Sequence, residues 1–143
     1  MDEVLAFLKE NPVYFLATEN GDQPEIRPFA TITKYNDKLY IQTGMVKNVY
    51  KQIEANPKIA ICGWDNNGTW LRINATAVPD HSVEASKALL DEYPALQKGY
   101  APGDGNCVVL ELKDATARFC KFGEDERVVM SSPTASPRRN CLR

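Results

Sequence analysis

The sequence has a single histidine, His81, and four cysteines, Cys62, Cys107, Cys120 and Cys141, with no Cys-x-x-Cys pair. That scarcity argues against a zinc site, whose cysteine and histidine ligands usually come in closely spaced pairs. No apolar run approaches the roughly 20 residues needed to cross a bilayer, so no membrane partner is expected. The opening Met1-Asp2-Glu3 lacks the basic start and apolar stretch of a secretory signal, and a cytoplasmic location is the expectation. There is also no excess of positive charge. The 17 basic and 19 acidic residues leave a formal net charge of −2, so nothing electrostatic points to nucleic acid.

What is present is an ordinary globular composition. The 143 residues are 43% hydrophobic and 25% charged, enough to bury one core without staples. Cys62, Cys107 and Cys120 lie in apolar runs and are expected to pack as small buried hydrophobes, with Cys141 an exposed thiol in a polar tail.

Along the chain the hydrophobic period changes in a readable order. Met1, Val4, Leu5 and Leu8 mark an amphipathic helix that stops near Asn11-Pro12. Strands follow over 13–18, 25–34 and 38–43, separated by the turn signals Asn20-Gly21 and Asn36-Asp37. Val46, Val49, Tyr50 and Ile53 return to the helical period, predicting a helix over 47–55 ended by Asn56-Pro57. Strands over 59–64 and 69–78 come next, the second alternating Leu71, Ile73, Ala75 and Ala77 against Trp70, Arg72, Asn74 and Thr76. Asp80 or Ser82 caps a helix over 83–92, a Gly- and Pro-rich loop spans 95–105, and strands are expected over 106–112 and 115–122. This predicts a mainly β protein, an antiparallel barrel of about seven strands and three helices, with one domain over 1–124 and a tail over 125–143. From Ser131 onward the tail is polar with two prolines, and it is expected to be mobile or draped on a surface.

Two places carry chemistry. Arg27 shares a strand face with Phe29, and Pro28 removes a ladder donor, so this point lies at an edge or a break. An arginine there can fork onto a phosphate or carboxylate, or be a solvated surface charge. Then Gln42-Thr43-Gly44 ends a strand and Lys47-Asn48 opens a helix. Free N–H groups and the positive end of the helix dipole suit an anion, and Lys47 sits where a cation is unfavourable without one.

The pattern Arg27-Pro28, Tyr40-Ile41-Gln42-Thr43-Gly44, Lys47-Asn48 and Asn56-Pro57-Lys58-Ile59-Ala60, followed by Trp70 to Ala77, resembles the pyridoxamine-5′-phosphate-oxidase-like FMN-binding split-barrel family, in particular its small nitroimidazole-resistance-type branch. The resemblance implies FMN as cofactor. Arg27, Pro28, Phe29 and Ala30 would lie along the ring, Gln42 and Thr43 at the ribityl and phosphate, and Lys47 with Asn48 at the phosphate. It also implies a homodimer in which Trp64, Trp70 and Arg72 reach the partner's cofactor. The expected activity is flavin-dependent reduction of a small nitro- or quinone-like acceptor with electrons from NAD(P)H, with no catalytic side chain. The alternatives are a flavin storage or sensor module, or a haem- or deazaflavin-binding member of the same family. Pyridoxamine-phosphate oxidation is not expected, because the C-terminal histidine that such enzymes use has no counterpart here. The 95–105 loop, with Tyr93, Tyr100 and Asp104, is the expected lid over the acceptor.

Overall fold

The computed structural model describes residues 1–131, so most of the expected tail, Cys141 included, lies outside the described residues. Eight strands and three α-helices run in the order α1 (Asp2–Glu10), β1 (Tyr14–Asn20), β2 (Gln23–Phe29), β3 (Thr33–Tyr35), β4 (Lys38–Gly44), α2 (Asn48–Ala55), β5 (Lys58–Trp64), β6 (Thr69–Asp80), α3 (Val83–Glu92), β7 (Cys107–Lys121) and β8 (Arg127–Met130). All pairings are antiparallel, in the order β2-β1-β5-β6-β7-β4-β3, with β8 added to β7. The sheet curls without closing, since β2 and β3 are its two margins and do not pair.

Three strand expectations need correction. The strand expected over 25–34 is two, β2 and β3, because the chain leaves the ladder after Phe29, next to Pro28, which has no N–H to donate. The two strands expected over 106–122 are one, β7. Its Lys113-Asp114 interruption is a bulge in which Asp114 (φ 51°) and Ala115 oppose the single residue Ala75 of β6. An eighth strand, β8, carries the sheet past residue 124. The turn signals hold: Gly21 takes φ 65°, and Asn36 and Asp37 take φ 50° and 57°, the paired positive values of a two-residue hairpin turn.

The core lies inside the curl. Leu16, Ile41, Ile61, Leu71, Ile73, Val108 and Leu110 point inward from five strands, and Val4 and Leu8 of α1 and Ile53 of α2 meet them. Each such side chain contributes about 1.5–3 kcal/mol by leaving water. The other face of β4 and β7 carries Tyr40 and Val109, which pack under Ala85 and Leu89 of α3. Helix α3 starts as expected: Ser82 Oγ accepts from Ala85 N–H at 3.2 Å.

Among the described residues, no helix covers the remaining outward face, across β2, β1, β5 and β6. Register places Pro28, Phe15, Cys62 and Arg72 side by side in one row, and Trp64 beside Trp70 at the strand ends. Phe15 is 46% exposed, Ile26 67% and Trp64 45%. Cys62 stands in this row and is exposed, so its expected burial is corrected: the alternation that turns Ile61 into the core turns Cys62 out of it. Cys107 and Cys120 are buried as expected.

Candidate functional site

The margin of the sheet, the three residues between β2 and β3, and the start of α2 form one continuous region. Pro28 and Ala30 are exposed there, and Phe29 turns inward against Tyr14 with ring centres 6.1 Å apart. Thr31 is buried. Its Oγ1 accepts from Gln42 N–H at 3.0 Å, and its carbonyl accepts from Tyr14 Oη at 2.6 Å. The residues expected along the ring and at the ribityl chain are therefore neighbours, joined through Thr31.

Arg27 is engaged within the chain. Its Nη1 donates to Leu16 C=O at 3.1 Å and Thr18 Oγ1 at 2.8 Å, and its Nη2 donates to Gln52 Oε1 at 3.0 Å. Burial holds the guanidinium somewhat below its ordinary pKa, with Glu25, 3.7 Å away, acting in the opposite direction. Glu25 is itself held below the usual carboxylate range by hydrogen bonds from Asn20 and Gln52. A groove of about 380 Å³ beside α2 is lined by Glu19, Glu25, Asn48, Lys51 and Gln52. Arg27 and Lys47 thus bear on the same helix: Lys47 at its first turn, Arg27 through Gln52 one turn further on.

The start of α2 lacks the features that finish a helix start. Lys47 stands at the cap position without a side-chain cap, and the first turn has no acidic residue, whereas α1 has Asp2 and Glu3 and α3 has Glu84. Lys47 and Asn48 are exposed, and Lys47 makes no ion pair among the described residues. The turn ahead of the helix is braced: Met45 N–H donates to Asn106 C=O at 2.7 Å, Val46 N–H to Asn106 Oδ1 at 3.2 Å, and Lys47 N–H to Gly44 C=O at 3.1 Å. Gly44 is required by close approach, because a Cβ there would sit 3.0 Å from Tyr100 Oη and 3.1 Å from Asn106 Oδ1. Thr43 is 2% exposed, and its Oγ1 has no hydrogen-bond partner among the described residues. A buried hydroxyl left unpaired costs free energy, so an orphan beside an uncapped helix start fits a group that brings acceptors to it.

The side chain of Gln42 points elsewhere. Its amide donates to Thr43 C=O at 2.9 Å and lies 3.8 Å from Cys107 Sγ, on the buried α3 side of β4. Only its backbone faces Thr31. Trp64, Trp70 and Arg72 lie on the outward face, and Arg72 is three strands from Pro28 in the same row, roughly 14 Å at ordinary strand spacing. Within one chain they do not meet Lys47 or Thr43. The expected lid residues are engaged as well: Asp104 accepts from the N–H groups of Ala101, Asn106 and Cys107, closing its own loop, and Tyr93 bonds to Ile32.

Sequence reasoning missed Thr31, Gln52, Tyr93 as a strut, and Asn106. Only Gln52 had a signal, its i+4 spacing from Asn48 on one helix face. No group of three metal-ligating side chains occurs among the described residues, and no helix there is long and apolar enough to cross a membrane.

The chain is thus a split antiparallel sheet with an uncapped helix start at the β4–α2 junction. The family model described as pyridoxamine 5′-phosphate oxidase matches residues 1–121, and the chain belongs to that family. It is similar to a NimC/NimA family protein from Clostridium acetobutylicum, with 35% identity over 90% of each chain and a TM-score of 0.85. At the level of fold it is also similar to a pyridoxamine 5′-phosphate oxidase-related, FMN-binding protein from Nostoc punctiforme (18% identity, 89% of this chain and 86% of that one, TM-score 0.63). The haem storage protein HutZ from Vibrio cholerae shares the fold too (12% identity, 81% and 91% covered, TM-score 0.64). No curated protein matches the sequence.

Proposed function

We propose that this protein binds FMN at the β2–β3 margin and the start of α2, and uses it to reduce a small nitro- or quinone-like acceptor with electrons from NAD(P)H. The observation that carries the reading is the uncapped α2 start with unpaired Lys47 beside the orphan Thr43 hydroxyl. These groups suit a phosphate monoester, whose oxygens accept from N–H, hydroxyl and ammonium alike. Haem, the ligand stored by the Vibrio relative, carries carboxylates and takes an axial ligand. The sole histidine, His81, is exposed in the link between β6 and α3.

Thr43, Lys47 and Asn48 would hold the phosphate, and the Pro28–Ala30 backbone would support the ring. Arg27 would set α2 in place through Gln52. Flavin supplies hydride and single-electron chemistry, and the protein supplies orientation and exclusion of water. The exposed Phe15, Ile26, Cys62 and Trp64 on this one sheet face support a homodimer: apolar surface of that kind calls for cover, and a second copy would bring Trp64, Trp70 and Arg72 toward the neighbouring cofactor.

The test is the visible spectrum of the purified protein, with identification of any released chromophore. A flavin spectrum that is retained in wild type and lost in Lys47→Glu supports the site. A haem spectrum, or flavin retained equally in the variant, sinks it. Steady-state NAD(P)H oxidation by the loaded protein separates a reductase from a storage or sensor module, which would show none.

A further inference from the structure

Tyr93 caps the C-terminal end of α3, and Pro94 after it keeps its backbone out of the helical region (φ −128°, ψ 71°). Its ring turns back to the interval between β2 and β3, where Ala30, Thr31 and Ile32 belong to no strand. There the hydroxyl does for Ile32 what a neighbouring strand does for a sheet residue. It accepts from Ile32 N–H at 2.9 Å and donates to Ile32 C=O at 2.9 Å. Lys9 Nζ donates to the same oxygen at 3.1 Å, filling its second lone pair.

The support around this contact is built from three elements. Glu92 accepts from Lys9 at 2.5 Å and from Thr33 Oγ1, joining α1, α3 and β3. From inside the curl, Tyr14 Oη holds the Thr31 carbonyl, and Thr31 Oγ1 holds Gln42 N–H. These polar groups of Thr31 and Ile32 all bond within the protein, to Tyr14 and β4 on one side and to Tyr93 on the other, while Ala30 stays exposed. A gap between strands would ordinarily leave its peptides to water and to motion. This one is pinned from both sides.

We infer that Tyr93 is a positioning residue for the cofactor. Its hydroxyl fixes the Ile32 peptide, and with it the plane of the Ala30–Thr31 backbone beside which the flavin ring lies. The inference rests on the flavin reading above and deepens it: the surface under the ring is set before the cofactor arrives. It also gives Tyr93 a task other than that of a lid, since a hydroxyl with three partners is not free to swing over an acceptor.

The experiment compares Tyr93→Phe with Thr33→Val, using FMN titration and the visible bands of bound flavin. Tyr93→Phe keeps the ring and loses both bonds to Ile32. It is expected to bind FMN about tenfold more weakly, and to shift the bound-flavin bands. Thr33→Val loses a bond in the same cluster without touching Ile32, and is expected to lower stability while leaving FMN affinity within about twofold. Equal losses in the two variants, or unchanged affinity and spectrum in Tyr93→Phe, overturn the inference. Hydrogen exchange at the Ile32 amide of the wild-type protein is an independent readout that survives a variant failing to fold. The amide should be protected without FMN, and protection appearing only on FMN addition overturns pre-setting. A wild-type protein that takes up no FMN sinks the flavin reading and the positioning role with it, while Ile32 protection lost in Tyr93→Phe would still identify the strut.

Discussion

Arg27 Nη2 donates to Gln52 Oε1 at 3.0 Å, and the same oxygen accepts from Thr18 Oγ1 at 2.6 Å. One side-chain carbonyl thereby ties β2, β1 and α2 together, and places the helix whose start carries Lys47. Gln52 is 9% exposed, so the three groups share a largely water-free junction.

Gln52→Leu should therefore destabilise the fold by about 1–3 kcal/mol, because Arg27 and Thr18 lose their common acceptor. Urea unfolding measures it. A double-mutant cycle with Arg27→Leu should show coupling between the two positions, and strict additivity would deny the shared junction.

Thr43→Val separates folding from binding. The Thr43 hydroxyl has no partner to lose, so the flavin-free variant should be as stable as wild type or more so. Its affinity for FMN should fall by roughly tenfold if that hydroxyl bonds the phosphate. Thermal unfolding without flavin and titration with it read the two effects, and a variant that is less stable yet binds normally contradicts the assignment.

Gly44→Ala should cost about 1–2 kcal/mol, because the added methyl meets Tyr100 and Asn106, and Asn106 cannot retreat without releasing Val46 N–H. Thermal unfolding checks it.

Phe15→Glu, on the outward face, should leave the chain folded and monomeric. The wild-type protein should sediment as a dimer, and a monomeric wild type would remove the proposed interface.

Acid should loosen the Glu92 cluster. Burial works to raise the pKa of this carboxyl, but the bonds from Lys9 and Thr33 outweigh it and hold it below the ordinary 4.5. A depressed carboxyl contributes stability that is complete above its unfolded value and lost as pH falls through the folded one. Stability should thus decline below pH 4.5, and Glu92→Gln should flatten part of that decline in urea midpoints taken against pH.

Much of this was legible in residue order. The helices over 47–55 and 83–92, the Asn36-Asp37 hairpin and the alternating strand after Thr69 follow from periods and turn residues, which are local signals. The position of the α2 start at Lys47-Asn48 was legible for the same reason, since it follows the strand end at Thr43-Gly44 within a few residues. The misplaced features depend on distant chain. The polar pair Lys113-Asp114 read as a gap between two strands, yet β6 carries β7 through it, with Asp114 taken up in a bulge. Strand β8 is only four residues long, too short to show a period, and it lies where Arg127 reaches Glu3 and the ring of Phe119. The engagement of Arg27 by Gln52, and of Ile32 by Tyr93, joins residues 25 and 61 positions apart. No period announces such contacts.

The sheet order carries a kinetic consequence. Strands β2 and β3 are nearest neighbours in sequence, yet they stand at opposite margins, so the link between them reaches its native shape only when the whole curl has formed. That requires β7, from the last part of the described chain, to dock against β4, from the first third, and such distant pairings form slowly. The segment beside the proposed cofactor should accordingly be among the last to become protected during refolding, and flavin capture would report completion of the fold rather than guide its start.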